Sequence, residues 1–287
     1  MESTNPALTT SANALETAPT KFIQAGGTNF AYRTIGVTNG VPLVLLQHFT
    51  GTMDYWDPAV VNELAKRREV IVFDNTGVGA SSGQVPDSVE QMAADALAFI
   101  DALGFQQVDL LGYSLGGMVA QVLAATHPAL VRKVILANTA HQGGGNDLMK
   151  VLQQAMSQKK YPDPRMVLFF NDSRNGIDAG QAFLKRVYAR QENRDPESGP
   201  EVANAQAKAI IVFSTTQDPE NKLLNAIAQP VLIVTGSNDT MLPTDSSYAM
   251  FRILKDAQVV MYPDSNHGAI FQYHDRFVQE VEAFLSR

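Results

Sequence analysis

The chain has 287 residues, 45% of them apolar, with 22 Lys and Arg against 29 Asp and Glu and no cysteine. That length is enough to bury a full α/β core. The net charge of −7 argues against nucleic acid and anionic membranes as partners, no apolar run approaches the ~18 residues that span a bilayer, and the lack of cysteine excludes disulfides, thiolate metal sites and a cysteine nucleophile.

Residues 1–20 are rich in Ser, Thr, Ala, Asn and Pro and contain no Lys or Arg. They read as a flexible N-terminal extension without the basic and apolar regions of a secretory signal. Cytoplasmic residence is the default that follows. Lys21–Gln24 and Asn29–Ile35 read as a hairpin turned at Gly26-Gly27-Thr28. Pro42–Gln47 is a continuously apolar run of the kind buried on both faces of a parallel sheet. Tyr55–Arg68 has helical spacing, with Pro58 near its first turn. Glu69–Phe73 is a further strand, followed by the glycine-rich loop Asn75–Gly83. Ser88–Leu103 repeats apolar residues at three/four spacing up to Gly104, where a capping glycine belongs.

Val108–Leu111 is a buried-type strand, Leu115–Thr126 a helix, and Val131–Ala137 another strand. The rhythm then changes. Residues 140–216 carry helical patterns and turns but no buried parallel strand, which reads as an inserted helical cap with Gly143–Gly145 as its hinge. Strand and helix alternate again through Val231–Thr235, Asp245–Leu254, Gln258–Tyr262 and Ile270–Ser286. This alternation implies an α/β fold with a mostly parallel sheet. The core then comprises residues 21–139 and 217–287.

The junction of strand and helix at Gly112-Tyr113-Ser114-Leu115-Gly116 is G-x-S-x-G in the context that motif requires. A sharp turn there lifts the Ser114 hydroxyl off the sheet, and the glycines remove Cβ atoms that would collide. A serine hydroxyl is a weak nucleophile and needs a base, which in turn needs an orienting acceptor. Partners in an open parallel sheet lie beyond the carboxyl ends of strands. Asp239, after Val231–Thr235 and a glycine turn, is the expected acid. Asp245 competes with it but is explained by the start of the next helix. His267, in the loop after the last strand, is the expected base.

The order Ser114, Asp239, His267 with this elbow resembles the α/β-hydrolase superfamily, from about residue 20 to the end. Asp74-Asn75-Thr76-Gly77-Val78-Gly79-Ala80-Ser81 is similar to that family's loop after the fourth strand. The resemblance implies an eight-stranded, mostly parallel sheet with helices on both faces and a cap. It also implies an oxyanion hole from the backbone N–H groups of Phe49 and Leu115. Here Gln47-His48 stands where the family has His-Gly, and a one-residue shift would make Thr50 the donor. His48 is then a structural loop residue or a contact for a polar group of the substrate.

A serine nucleophile disfavours the dehalogenase and epoxide hydrolase branches, which attack with Asp, and points to acyl transfer. No residues are spaced as metal ligands, and neither Gly77-x-Gly79 nor Gly143–Gly145 has nucleotide-binding spacing, so no cofactor is expected. Met156, Tyr161, Met166, Phe169, Phe170 and Phe183 are among the larger apolar groups of the cap. Most should pack its helices together. The substrate pocket is expected to draw on His48, His141, Phe169 and Phe170, and to take a small or medium apolar ester or lactone. Two alternatives stand beside this. One uses the same triad for C–C bond hydrolysis or for perhydrolysis, like the cofactor-free haloperoxidases. The other is a slow-turnover ligand-binding protein. The sequence fixes no oligomeric state.

Overall fold

Continuous apolar runs form the centre of the sheet, and alternating ones its edges. The computed structural model describes residues 14–38, 40–145, 148–157 and 160–287. Residues 1–13 of the expected extension and the side chain of Met156 lie outside the described residues. Strands β1 (Lys21–Ala25) and β2 (Thr28–Gly36) form the hairpin, and β2 alternates buried with half-buried positions. Strands β3 (Leu43–Leu46), β4 (Glu69–Phe73), β5 (Val108–Tyr113), β6 (Val131–Ala137) and β7 (Val231–Gly236) are buried almost throughout. The last strand, β8 (Ala257–Tyr262), is a half-exposed edge. The order across the sheet is β1-β2-β4-β3-β5-β6-β7-β8. Only the β1/β2 and β2/β4 pairs are antiparallel. The carboxyl ends of β3, β5, β6, β7 and β8 therefore share one edge, and the loops that leave them can meet.

Helix α1 (Pro58–Ala65) is shorter than the pattern from Tyr55 suggests. Met53–Tyr55 is instead a single 3-10 turn, and Asp57 caps α1 by accepting the Ala59 N–H at 2.9 Å, with Pro58 at its first position. Helices α2 (Val89–Ala102, capped by Ser88) and α3 (Leu115–Thr126) cover one face of the sheet. Among the described residues five helices lie between β6 and β7: α4 (Leu148–Ser157), α5 (Arg165–Phe169), α6 (Arg174–Val187), α7 (Pro200–Thr215) and α8 (Lys222–Ala226). No strand occurs there among the described residues. Helix α8 packs on α3 and on α9 (Thr244–Ile253).

The single closing helix expected over Ile270–Ser286 is two helices, α10 (Ala269–Gln272) and α11 (His274–Leu285). Tyr273 breaks them apart. Its hydroxyl donates to Pro263 O at 2.9 Å and its ring stacks on Tyr262, contacts that fix it outside helical geometry. Helices α1 and α11 pack together on the face opposite α2 and α3.

The part of the expected flexible extension that is described, residues 14–20, is docked instead. Leu15 and Ala18 are buried on the α1 side, the Leu15 N–H donates to Asn62 Oδ1 at 2.8 Å, and Ala18 O accepts from Arg190 Nη1 at 2.9 Å. Two apolar residues three apart on one turn suffice to seat it, and the Ser/Thr-rich composition around them conceals this.

The segment after α6 is joined to the sheet by a buried ion cluster. Arg33 of β2, with no exposed surface, donates to Asp54 at 2.6 Å and to both oxygens of Asp195 at 3.0 and 3.1 Å. The Asp195 N–H donates to Asp54 Oδ2. Removing one partner from such a pair leaves buried charge uncompensated, at about 3–5 kcal/mol. Arg33→Met should therefore lower the unfolding free energy by about that amount in urea titrations, more than the usual cost of a single substitution.

Candidate active site

The turn between β5 and α3 leaves no room for side chains. A Cβ on Gly112 would lie 2.3 Å from Gly116 O, and one on Gly116 would lie 1.9 Å from Leu46 O. The two glycines are thus required by close backbone approach. Between them Ser114 has φ +55°, a conformation that L-residues rarely adopt and that persists only where surroundings enforce it. Its N–H donates to Ala137 O at 2.9 Å, and its carbonyl accepts from Gly117 N–H and Thr139 Oγ1. The hydroxyl is left projecting above the sheet.

His267 Nε2 lies 2.9 Å from Ser114 Oγ. On the other side of the ring, Nδ1 lies 2.9 and 3.1 Å from the two oxygens of Asp239. A carboxylate can only accept, so Nδ1 carries the proton and Nε2 offers its lone pair to the serine hydroxyl. All three residues are nearly or fully buried. Asp239 Oδ1 also accepts the N–H groups of Met241 and Leu242 at 2.9 and 3.0 Å, and Oδ2 accepts from Asn138 Nδ2 at 3.0 Å. Asp245 is exposed in the first turn of α9, away from this constellation.

Three supporting residues escape the sequence reading. Asn138, at φ +45° just after β6, holds the acid. Asn266 accepts the His267 N–H at 2.9 Å. The Tyr113 hydroxyl donates to His267 O at 3.0 Å. The available signal is an asparagine immediately after a buried strand, a residue that tolerates left-handed backbone and can still reach a neighbouring carboxylate.

Phe49 lines the same cavity as Ser114, and Leu115 follows Ser114 in the chain. Among the described residues neither of their N–H groups donates to a protein acceptor. The N–H of Thr50, the alternative donor, is taken by Gln206 Oε1 at 2.6 Å. His48 is buried, with ring neighbours Tyr113 and Phe169. Burial pushes its pKa down to about 3, so it is neutral, and its Nδ1–H donates to Phe49 O at 2.8 Å.

A cavity of about 880 Å3 opens over Ser114 and His267. Its wall is mostly apolar, with Phe49, Leu152, Leu168, Phe169, Leu184 and Met241; His48 also lines it. Polar side chains line it too, among them Tyr55, Asp163, Arg165 and Glu197, a feature absent from the sequence reading. Arg165 donates two hydrogen bonds to the Asp163 carboxylate, at 2.6 and 2.8 Å, and lies 3.8 Å over the Tyr55 ring, while the Tyr55 hydroxyl donates to Glu197. Two of the expected pocket residues are elsewhere. His141 turns away and bonds Ser246 Oγ through Nδ1 at 2.8 Å. Phe170, just past the end of α5 where the chain becomes extended, is buried against Phe183 of α6 and does not line the cavity.

Among the described residues no cluster of His, Asp and Glu is arranged to hold a metal, and no helix is long and apolar enough to cross a membrane. The sheet order, the serine elbow and the loop meeting at one sheet edge define a member of the α/β-hydrolase class. The chain belongs to that family: the profile of the alpha/beta hydrolase fold matches residues 41–272. It is similar to an alpha/beta hydrolase fold protein from Chitinophaga pinensis, with 40% identity, a TM-score of 0.89, and 95% of this chain and 99% of that one covered. A non-heme chloroperoxidase of Streptomyces lividans is 24% identical over 90% of this chain and 96% of its own length. The enol-lactonase of Burkholderia xenovorans LB400 shares the fold, with a TM-score of 0.75, 22% identity, and 93% and 100% of the two chains covered.

The elbow geometry makes a direct prediction. In Gly116→Ala the new methyl group has no space against the Leu46 carbonyl, and α3 or β3 must move. The variant should lose more than ~3 kcal/mol of stability, at the upper end for single substitutions, measured by thermal and urea unfolding.

Proposed function

We propose that the chain is a serine hydrolase that cleaves a small or medium apolar ester or lactone through an acyl-enzyme on Ser114. One observation carries this reading. His267 bridges Ser114 Oγ and the Asp239 carboxylate at hydrogen-bond distances, and both Ser114 and His267 line a cavity whose wall is mostly apolar. Ser114 Oγ attacks the substrate carbonyl while His267 Nε2 takes the hydroxyl proton. The tetrahedral oxyanion is met by the N–H groups of Phe49 and Leu115. Two such donors in a water-poor site are worth several kcal/mol of barrier, ~3 for each one removed. His267 returns its proton to the leaving alcohol. Water, deprotonated by the same nitrogen, then releases the acid and restores the serine. The helices between β6 and β7 act as a cap, since Leu152, Leu168, Phe169 and Leu184 wall the cavity.

A second reading has support in the similarity to a chloroperoxidase. The same acyl-enzyme, attacked by hydrogen peroxide in place of water, would release a peracid. C–C bond hydrolysis would use the same triad. Product analysis separates these, and fast saturable turnover disposes of a ligand-binding role.

With p-nitrophenyl esters of increasing acyl length, the wild type should show a burst near one equivalent of active sites, and Ser114→Ala should show none. Asp239→Asn should lower kcat by about 10^4-fold, because the imidazole is then held in the wrong tautomer. Asp245→Asn should leave kcat unchanged. Loss of activity in Asp245→Asn with retention in Asp239→Asn would reverse the assignment of the acid.

A further inference from the structure

The loop after β3 holds the donor at Phe49 through two consecutive peptide units. In the His48–Phe49 unit, the carbonyl accepts the Gly51 N–H at 3.0 Å and the N–H is the free donor beside Ser114. In the Phe49–Thr50 unit, the carbonyl accepts His48 Nδ1–H and the N–H donates to Gln206 Oε1. The carbonyl of Thr50 accepts Ser198 Oγ–H at 2.8 Å. Thr50 itself has φ +58°. A β-branched residue is strained there, by about 1–3 kcal/mol, and keeps that conformation only under constraint. Within residues 47–52 the side chains of Gln47 and His48 bond their own loop. The remaining constraint comes from outside it, from α7 and the residue two before its first turn.

Gln206 lies on α7 with no exposed surface, and its Nε2 has no partner among the described residues. Its buried amide is therefore committed on one side only, to Thr50. We infer that Gln206, with Ser198, is a positioning residue for the oxyanion hole, holding Thr50 in its left-handed conformation so that the Phe49 N–H faces the oxyanion. Without the Gln206 acceptor the Phe49–Thr50 peptide is held only on its carbonyl side, by His48, and Thr50 can relax to negative φ. The donor is then misdirected while the cavity that binds substrate is kept. This rests on the reading of Ser114 as nucleophile.

The test pairs Gln206→Met, similar in length but lacking the acceptor, with Gln206→Glu, which keeps an oxygen there. Four quantities are read: kcat and KM on a p-nitrophenyl ester, affinity for an alkyl boronic acid that forms a tetrahedral adduct on Ser114, and exchange of the Thr50 amide hydrogen by NMR. Gln206→Met should lower kcat by about tenfold or more, with KM within about threefold, since the lost interaction is made in the transition state. Boronate affinity should fall by the same factor as kcat, and the Thr50 amide should exchange faster. Gln206→Glu should recover most of the loss. Ser198→Ala should act in the same direction, more weakly, and serves if Gln206→Met does not fold. Wild-type kcat and boronate affinity in Gln206→Met would overturn the inference while leaving the nucleophile assignment intact. So would a loss that Gln206→Glu does not recover and that KM shares equally. A wild type with neither burst nor boronate adduct would overturn both.

Discussion

The close approach of three backbones at Gly112 and Gly116 is the constraint on which the site depends. It does more than expose a serine. The atoms that leave no space for a Cβ on Gly116 are the carbonyls of Leu46 and Gln47. Leu46 ends β3, and the loop carrying Phe49 begins at the next residue. The contact that lets α3 start under Ser114 therefore also brings the Phe49 loop against the first turn of α3. Two donors from distant parts of the chain are set beside one hydroxyl by a single packing requirement. Side chains could not substitute for this, since any Cβ at either glycine would separate the elements.

The electrostatics around Asp239 follow a similar economy. Its oxygens are met by two backbone N–H groups, the Asn138 amide and His267, and no Lys or Arg forms an ion pair with it among the described residues. Neutral donors fix the position of the carboxylate without cancelling its charge. The charge is then available to an imidazolium when His267 holds a proton. A guanidinium in the same place would fix the carboxylate equally well and weaken that effect, as it does elsewhere in this molecule. Arg33 holds Asp54 and Asp195 in a purely structural cluster. The two kinds of buried carboxylate are distinguished by what neutralises them.

Much of this was legible in the sequence. The core strands are continuous apolar runs, and their limits agree with the structure to within a residue or two because burial on both faces demands that composition. Ser114, Asp239 and His267 could be named because each follows a strand at one sheet edge and each residue type has a restricted chemistry there. What failed to show was set by tertiary contacts with no local pattern. Tyr273 interrupts an otherwise good amphipathic helix through a stack on Tyr262. Leu15 and Ala18 dock from within a segment of disordered composition. Whether Phe169 faces the cavity depends on how the short helix α5 is rotated, and His141 and Phe170 lie in irregular backbone whose direction no local pattern gives. The polar wall of Arg165, Asp163 and Tyr55 joins residues more than a hundred positions apart.

Residues 50–57 carry several of the polar contacts between the helical segment and the core. Gln206 bonds Thr50, Asp195 shares Arg33 with Asp54, Arg165 stacks on Tyr55, and Arg186 pairs with Asp57 at 2.6 and 2.7 Å. Residues 50–57 thus meet the segment at four places, immediately after Phe49. Three of the four partners are charged and largely withdrawn from water, so each contact is costly to break singly. The segment also reaches the core elsewhere: Asp195 bonds Arg33 of β2 directly, the Gly268 N–H donates to Phe169 O at 2.8 Å, and Ser173 Oγ donates to Asp264. The serine, by contrast, is held by β5, β6 and α3, none of which shares those contacts. The helical segment thus touches two loops of the site, at Thr50 and beside His267 where Phe169 packs on the imidazole, while the backbone of Ser114 is held within the core.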